Sequence, residues 1–330
     1  MKKILIIQTA SIGDVILTTP ILEKLHYIYK DAMIDFLLKK GIESLFTAHP
    51  FIHQLIIWDK KIDKYKNLFN IIKQIRKEKY DIVINVQRFA SSGIITALSG
   101  AETTIGFDKN PFAMFFTKKI KHKIGKQYQG IHEIDRNLEL LAHLDTDKKF
   151  TVKLYPTKED FDMIEPFRTA KYICIAPASL WNTKQYPKEK WIEFINGINQ
   201  TLVIHLLGSK QDVELCNEIK EAAIGKHILN LAGKLSMLES AALMKNAKMN
   251  YVNDSAPLHL ASSMNAHVTA IFCSTITEFG FGPLSNDSVV IETSEQLDCR
   301  PCGLHGYKEC PEQHFKCAMT ITKEQLLSRL

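Results

Sequence analysis

Asn253-Asp254-Ser255-Ala256-Pro257-Leu258-His259 brings a carboxylate, a hydroxyl and an imidazole into one short run. It follows an apolar stretch, Met249 to Val252, that reads as a buried strand. It precedes Leu258, Leu260 and Ala261, which read as the start of a helix. A strand feeding a helix N-terminus offers unbonded amide N–H groups and a positive dipole end, so the place suits a phosphate. In an open α/β sheet, ligands also bind at the carboxyl ends of strands. The plainer reading of the same residues is a helix start, with Asp254 or Ser255 as N-cap and His259 on a helix face.

Two other loops carry comparable chemistry. The first apolar run, Ile4 to Ile7, ends in Gln8-Thr9-Ala10-Ser11-Ile12-Gly13-Asp14. Gly13 permits a tight turn with close approach of a ligand, and Asp14 is a carboxylate that can take a proton from a hydroxyl nucleophile. The alternative for Asp14 is again a helix cap. The second loop follows the run Tyr172–Ala176 and reads Pro177-Ala178-Ser179-Leu180-Trp181-Asn182-Thr183-Lys184-Gln185-Tyr186-Pro187. It is dense in hydrogen-bonding groups, and Lys184 can meet a diphosphate as a point charge. A solvated lysine is the competing reading. No Gly-x-Gly-x-x-Gly is present, which argues against a dinucleotide enzyme.

These loops need elements to hold them. Short apolar runs at Ile4–Ile7, Met33–Leu38, Leu55–Trp58 and Asp81–Val86 alternate with helical periodicity at Val15–Tyr29, Tyr65–Arg76 and Gly93–Leu98. An amphipathic helix is expected over Glu133–His143, and Leu144 to Pro166 is polar enough to be a linker. The pattern then restarts. Strands are expected at Tyr172–Ala176, Leu202–Leu207, Ile228–Leu231, Met249–Val252 and Val268–Phe272, and helices at Lys188–Asn196, Gln211–Ala222 and Met237–Lys245. Alternation of this kind implies βαβ units and parallel sheets. The expectation is an α/β chain of two Rossmann-like domains, 1–160 and 161–330, with a ligand in the cleft between them.

Composition narrows the class. The chain has 330 residues, 45% of them hydrophobic and 24% charged, which is ordinary for globular domains. No apolar run approaches the roughly 20 residues that span a bilayer. The N-terminal Met1-Lys2-Lys3-Ile4 start reads as a first strand and not as a signal peptide. A cytoplasmic protein with reduced cysteines is therefore expected. The net charge of +6 is uneven: Thr117 to Lys126 holds five lysines, including Lys118, Lys119 and Lys121, and no acid. Such a stretch can meet phosphorylated glycolipid or a membrane surface, or it can be a lysine-protected edge strand. Without arginine clusters and interleaved aromatics, nucleic acid is not an expected partner.

Metal signals are weak. Asp145-Thr146-Asp147 matches an Asp-x-Asp pattern but lies in the linker, where a chance match is the better reading. Cys299-x2-Cys302 with Cys310 and Cys317 could make a structural zinc site, the rival being reduced, partly buried thiols.

Taken in order and at these separations, Gly13-Asp14, Ser179…Lys184-Gln185-Tyr186-Pro187 and Asn253-Asp254-Ser255…His259 resemble glycosyltransferase family 9, the bacterial heptosyltransferases. The similarity spans essentially the whole chain. The run from Ile7 to Pro20 and the late Cys299-Arg300-Pro301-Cys302-Gly303 most resemble the heptosyltransferase II branch. The resemblance implies a GT-B fold, two Rossmann-like domains facing across a cleft, with acceptor on the first and nucleotide-sugar donor on the second. It implies inverting transfer of heptose from ADP-heptose to inner-core lipopolysaccharide at the cytoplasmic face of the inner membrane, with no required metal or cofactor. Asp14, after Gly13 on the acceptor side, then corresponds to the general base; Lys118, Lys119 and Lys121 are acceptor-side candidates on their charge alone. Ser179, Lys184, Asp212, Asp254, Ser255 and His259 correspond to donor-contacting positions. Two departures stand out: Ala256, where many relatives have glycine, and Gln8-Thr9, where they often carry an arginine. Other readings are a family 9 transferase with another sugar or acceptor, and a catalytically silent ligand-binding protein.

Overall fold

The computed structural model describes residues 1–61, 63–198 and 201–330, and the chain divides into two compact units, Met1–Tyr155 and Pro156–Leu330. Unit 1 contains β1 (Lys3–Ile7), α1 (Ile12–Ile16), α2 (Thr19–Ile28), β2 (Met33–Lys39), β3 (Gln54–Trp58), α3 (Lys64–Glu78), β4 (Ile82–Asn85), α4 (Ala90–Ala97), β5 (Thr103–Phe107), β6 (Lys118–Ile120) and α5 (Glu133–Glu139). Unit 2 contains α6 (Lys158–Ile164), β7 (Tyr172–Ala176), α7 (Lys188–Gly197), β8 (Val203–Leu206), α8 (Val213–Ala222), β9 (His227–Asn230), α9 (Met237–Lys245), β10 (Asn250–Asn253), α10 (Ala256–Ser263), β11 (Val268–Phe272), β12 (Ser288–Glu292), α11 (Lys316–Met319) and α12 (Lys323–Leu327).

Each unit holds one six-stranded sheet whose described pairings are all parallel. The orders are β3-β2-β1-β4-β5-β6 and β12-β11-β10-β7-β8-β9. Numbered within its own unit, each sheet runs 3-2-1-4-5-6, the doubly wound order. The direction in which successive strands are added reverses between β1 and β4 in one unit and between β7 and β10 in the other. At those points the loops leaving the strands diverge and open a crevice. The central strands are apolar on both faces, as a sheet covered on both sides requires; all five residues of β7 are buried.

Packing explains several element boundaries. The helix expected over Val15–Tyr29 is two helices, broken at Leu17-Thr18, because Pro20 at the start of α2 has no N–H to donate backward. α5 ends at Glu139, short of His143. The expected linker from Leu144 to Pro166 is largely built into the units. Val152 and Leu154 are buried, and Lys153 N donates to Thr19 Oγ1 at 3.0 Å. Thr157 and Asp160 cap α6 reciprocally, and α6 packs on α9. The division into units falls inside that segment, ahead of α6. β5 and β12 were not expected as strands; β6 is the lysine-protected edge strand that the sequence offered as one reading of Thr117 to Lys126. No helix among the described residues is long and apolar enough to cross a membrane.

The end of unit 1 is held by a buried histidine. His49 lies among Phe46, Phe51 and Tyr155, and its Nδ1 accepts from Phe51 N at 3.3 Å. Burial, with the charges of Lys153 and His26 adding, pushes this imidazole down to about 4. Below pH 6.5 the unfolded chain takes up the proton first, so stability is full above 6.5 and falls as pH drops toward about 4. His122, also pushed down to about 4 by burial and neighbouring cations, acts in the same direction. His49→Phe is therefore expected to reduce, without abolishing, the loss of stability across that window. Urea unfolding at a series of pH values reads it, and a slope equal to wild type would clear His49 of the effect.

Candidate functional site

The polar residues of unit 2 gather at its β7/β10 reversal. Asn253, the last residue of β10, is fully buried. Its Nδ2 donates to Pro177 O at 2.8 Å and its Oδ1 accepts from Tyr186 N at 2.9 Å. One amide thus fixes both ends of the loop that carries Ser179 and Lys184. Within that loop, Ser179 N donates to Gln185 Oε1 at 3.1 Å, and Asn182–Lys184 make a 3-10 turn.

Lys184 turns inward. Its Nζ lies 2.6 Å from Asp254 Oδ2, with the side chains only 15% and 7% exposed. Thr275 Oγ1 donates to the same carboxylate oxygen at 2.6 Å. Asp254 is therefore not a helix cap. Ser255 occupies the N-cap position of α10 in extended geometry, and its hydroxyl makes no cap bond. His259 is buried within α10. Asp212 ends the 3-10 turn Lys210–Asp212, and its Oδ2 accepts from Ser209 N and Oγ, both at 2.7 Å. The turn lies directly beside Gly208, where an added Cβ would meet Asp212 Cβ at 2.8 Å.

In unit 1 the corresponding reversal lies between β1 and β4. Asp14 sits in the first turn of α1, with Oδ2 accepting from Ser11 N at 3.1 Å and Ser11 Oγ at 2.5 Å. Gly13 is helical and makes no tight turn, so the expectation for it fails; the chain turns before Ile12 instead. Around Asp14 lie residues that the sequence alone did not single out. Lys60 Nζ donates to Thr9 O at 2.9 Å and Thr9 Oγ1 at 2.7 Å. Thr9 in turn donates to Gln87 Oε1 at 2.8 Å. Lys60 thus supplies a cation beside the end of β1, at Thr9. Glu133 pairs with Arg136 at 2.7 Å. Burial pushes the Glu133 carboxyl up and the charge of Asp14 adds to that, against the pull of Arg136. The only hint of Lys60 in the sequence was a lysine just past a strand.

Other expected residues lie elsewhere. Lys118 and Lys119 pair in register with Ile105 and Gly106 on the outer edge of the sheet, two strands from β4. Lys121 Nζ sits 5.6 Å over the Tyr128 ring. None of the three is brought to Asp14 by a described contact. Cys299, Cys302, Cys310 and Cys317 line one cavity of about 210 Å³ with Thr183, Ser274 and His314. Burial pushes the Cys317 thiol up to about 12. Among the described residues no group of three or more His, Cys, Asp or Glu is arranged to hold a metal ion.

The Lys184–Asp254 pair is buried enough to matter for folding. Lys184→Met strands the carboxylate and should cost about 3–5 kcal/mol, whereas adding Asp254→Leu should return part of it. Urea unfolding of the two variants measures this, and a single variant as stable as wild type would show that the pair carries no weight.

Comparison with known proteins places this geometry. The family model for glycosyltransferase family 9 (heptosyltransferase) matches residues 68–314. Lipopolysaccharide heptosyltransferase 3 of Escherichia coli is 29% identical over 291 residues, covering 84% of this chain and 85% of its own. The glycosyl transferase family 9 structure from Veillonella parvula superposes with a TM-score of 0.87 at 23% identity, over 99% of this chain and 96% of that one. The structure of E. coli ADP-heptose lps heptosyltransferase II superposes at 0.82 with 19% identity, over 100% and 97%. At those identities the likeness is one of fold, and it is the GT-B fold. The chain belongs to glycosyltransferase family 9, the heptosyltransferases.

Proposed function

We propose that this glycosyltransferase moves heptose from ADP-heptose to the inner core of lipopolysaccharide, with inversion, at the cytoplasmic face of the inner membrane. The observation that carries the reading is the inward-turned Lys184, paired with Asp254, whose carboxylate also accepts from Thr275. A lysine, open helix amides and a strand-order reversal together make a diphosphate site. The sugar and acceptor follow those named for the related heptosyltransferases.

In this reading an acceptor hydroxyl attacks the anomeric carbon from the face opposite the diphosphate. Asp14 takes the hydroxyl proton through Oδ1, since Oδ2 is engaged by Ser11. The bond to ADP breaks as the new glycosidic bond forms, which inverts the centre by the logic of inverting glycosidases. The departing diphosphate is met by Lys184, whose ammonium has donors beyond the one facing Asp254, and by the amides of Ser255 and Ala256. Asp254 serves mainly to aim Lys184. Ser179 and His259 line the donor side, and the second oxygen of Asp212 is assigned to the ribose. Lys60 and Arg136 provide positive charge for a phosphorylated or carboxylated acceptor. Residues 1–155 form the acceptor domain and 156–330 the donor domain.

Asp14→Ala should cut transfer on the order of 10²–10⁴-fold while leaving ADP-sugar binding intact. Unchanged turnover would remove it as the base. Lys184→Ala should weaken ADP binding roughly tenfold or more, and equal affinity by calorimetry would refute its role. In a thermal-shift panel of ADP-, UDP- and GDP-sugars only the ADP-sugars should raise Tm. Stabilisation by a UDP- or GDP-sugar instead would point to a family 9 transferase of another donor.

A further inference from the structure

We propose that one face of unit 1 docks on the surface of an anionic phospholipid bilayer. Two basic stretches flank α4 there. Residues 64–77 carry five lysines and arginines and no acid, and residues 109–132 carry six lysines and no acid. The whole chain has a net charge of only +6, so the rest of the molecule is net negative. The first stretch is α3. The second runs from the loop after β5 through β6.

The fold sets both stretches against the same helix, α4. α3 packs beside α4, and the 3-10 turn Ala113–Phe115 packs on the other end of α4. Arg76 Nη1 donates to Leu98 O at 3.2 Å and ties α3 to the end of α4. Asn110 Nδ2 donates to Gln87 O and Phe89 O, and Asn110 Oδ1 accepts from Phe112 N, pinning the following turn against the start of α4. Gly93 makes room for this, since a Cβ there would fall 2.1 Å from Asn110 Oδ1. The turn is therefore held firmly.

Along this row the molecule exposes large apolar side chains. Tyr65 and Phe69 on α3 are 81% and 67% exposed, Phe89 is 54%, and Met114 and Phe115 are 73% and 62%. α3 buries Ile71, Ile72 and Ile75 on its inner side, so Phe69 is surplus to the core. Lys66, Lys73, Lys77, Lys109, Lys118, Lys119 and Lys121 are exposed around them. Apolar and aromatic side chains set among lysines are what a helix lying in a lipid interface presents. Each lysine near an anionic leaflet adds attraction. A soluble polyanion would use the charges but would gain nothing from Phe69, Met114 and Phe115. The lysines on β6 thus belong to the membrane contact and not to the sugar site. The inference shares its membrane setting with the proposed function, but its observations are independent of the reaction.

Sedimentation of the full chain with vesicles of phosphatidylethanolamine and phosphatidylglycerol tests it, alongside phosphatidylcholine vesicles and soluble heparin. Wild type should bind the anionic vesicles and leave phosphatidylcholine largely unbound. Phe69→Ser with Phe115→Ser should weaken vesicle binding at least about tenfold. The same double variant should keep its circular dichroism, its ADP affinity and its transfer to a lipid-free acceptor fragment. Vesicle binding unchanged in the double variant would overturn the proposal, as would equal binding to phosphatidylcholine, or binding to heparin without binding to vesicles. If vesicle binding behaves as expected but no heptose transfer is found, the docking face stands and the activity reading falls.

Discussion

The side-chain amide of Asn253 fixes the polar site of unit 2. The loop from Pro177 to Pro187 crosses the reversal of strand order and contains little regular structure, so its backbone groups need partners from outside it. Asn253 supplies both kinds, a donor to Pro177 O and an acceptor for Tyr186 N. An aspartate could not donate to the carbonyl, and an alanine would leave two buried groups unpaired at about 1–3 kcal/mol each. Lys184 lies two residues before Tyr186, so the direction of its stem follows from that anchor. Its ion pair with Asp254 is then short because both residues are tied to the end of the same strand.

The same register position in unit 1 is also an asparagine. Asn85 ends β4 as Asn253 ends β10, each the fourth strand of its unit. The wiring from that point differs. Asn85 Oδ1 accepts from Gln87 N at 2.9 Å, and Gln87 then reaches Thr9, which reaches Lys60. A chain of short links replaces the single amide. One fold thus positions two different charge patterns at equivalent reversals. Unit 1 collects carboxylates, Asp14 and Glu133, with cations beside them. Unit 2 holds a lysine below helix amides.

Buried, two-faced strands were legible because their residues are uniformly apolar. β7 and β11 begin and end where the sequence places them, and so does α9, which Ser236 and Glu239 cap reciprocally. The strands that escaped notice carry mixed signals: Thr103-Thr104 and Gly106 in β5, and Ser288 with Glu292 in β12. They are strands because a neighbour accepts them at the sheet edge or beside it, which no local pattern encodes. The candidate residues divide in the same way. Asp14, Lys184 and Asp254 lie next to strand ends and could be picked out by position. Lys60, Thr275 and Glu133 reach the loops of their own unit only through the fold, since the elements that carry or precede them are distant in sequence from those loops. Gly13 shows the reverse error, a local turn signal overruled by a helix that starts at Ile12.

Strand order also explains the late cysteine-bearing segment. Arg300 donates to the carbonyls of Phe272, Cys273 and Thr275, and Cys302 N donates to Ser274 O at 2.8 Å. The segment therefore lies along the end of β11, the residues that present Thr275 to Asp254. A few residues later, Tyr307 N donates to Thr183 Oγ1 at 2.7 Å and Thr183 N donates to Tyr307 O at 3.1 Å. Gly306 has φ +74°, and a Cβ on it would fall 2.8 Å from Thr183 Oγ1 and 3.1 Å from Lys184 Cγ. Only glycine lets the segment approach that closely without displacing the lysine. The segment from Cys299 to Tyr307 is thus a brace that touches both supports of the Lys184–Asp254 pair, one through Thr183 and the other through Thr275. The brace is made by the Arg300 guanidinium and by backbone groups, not by thiols, and its structural effect is to hold the backbone that aims Lys184.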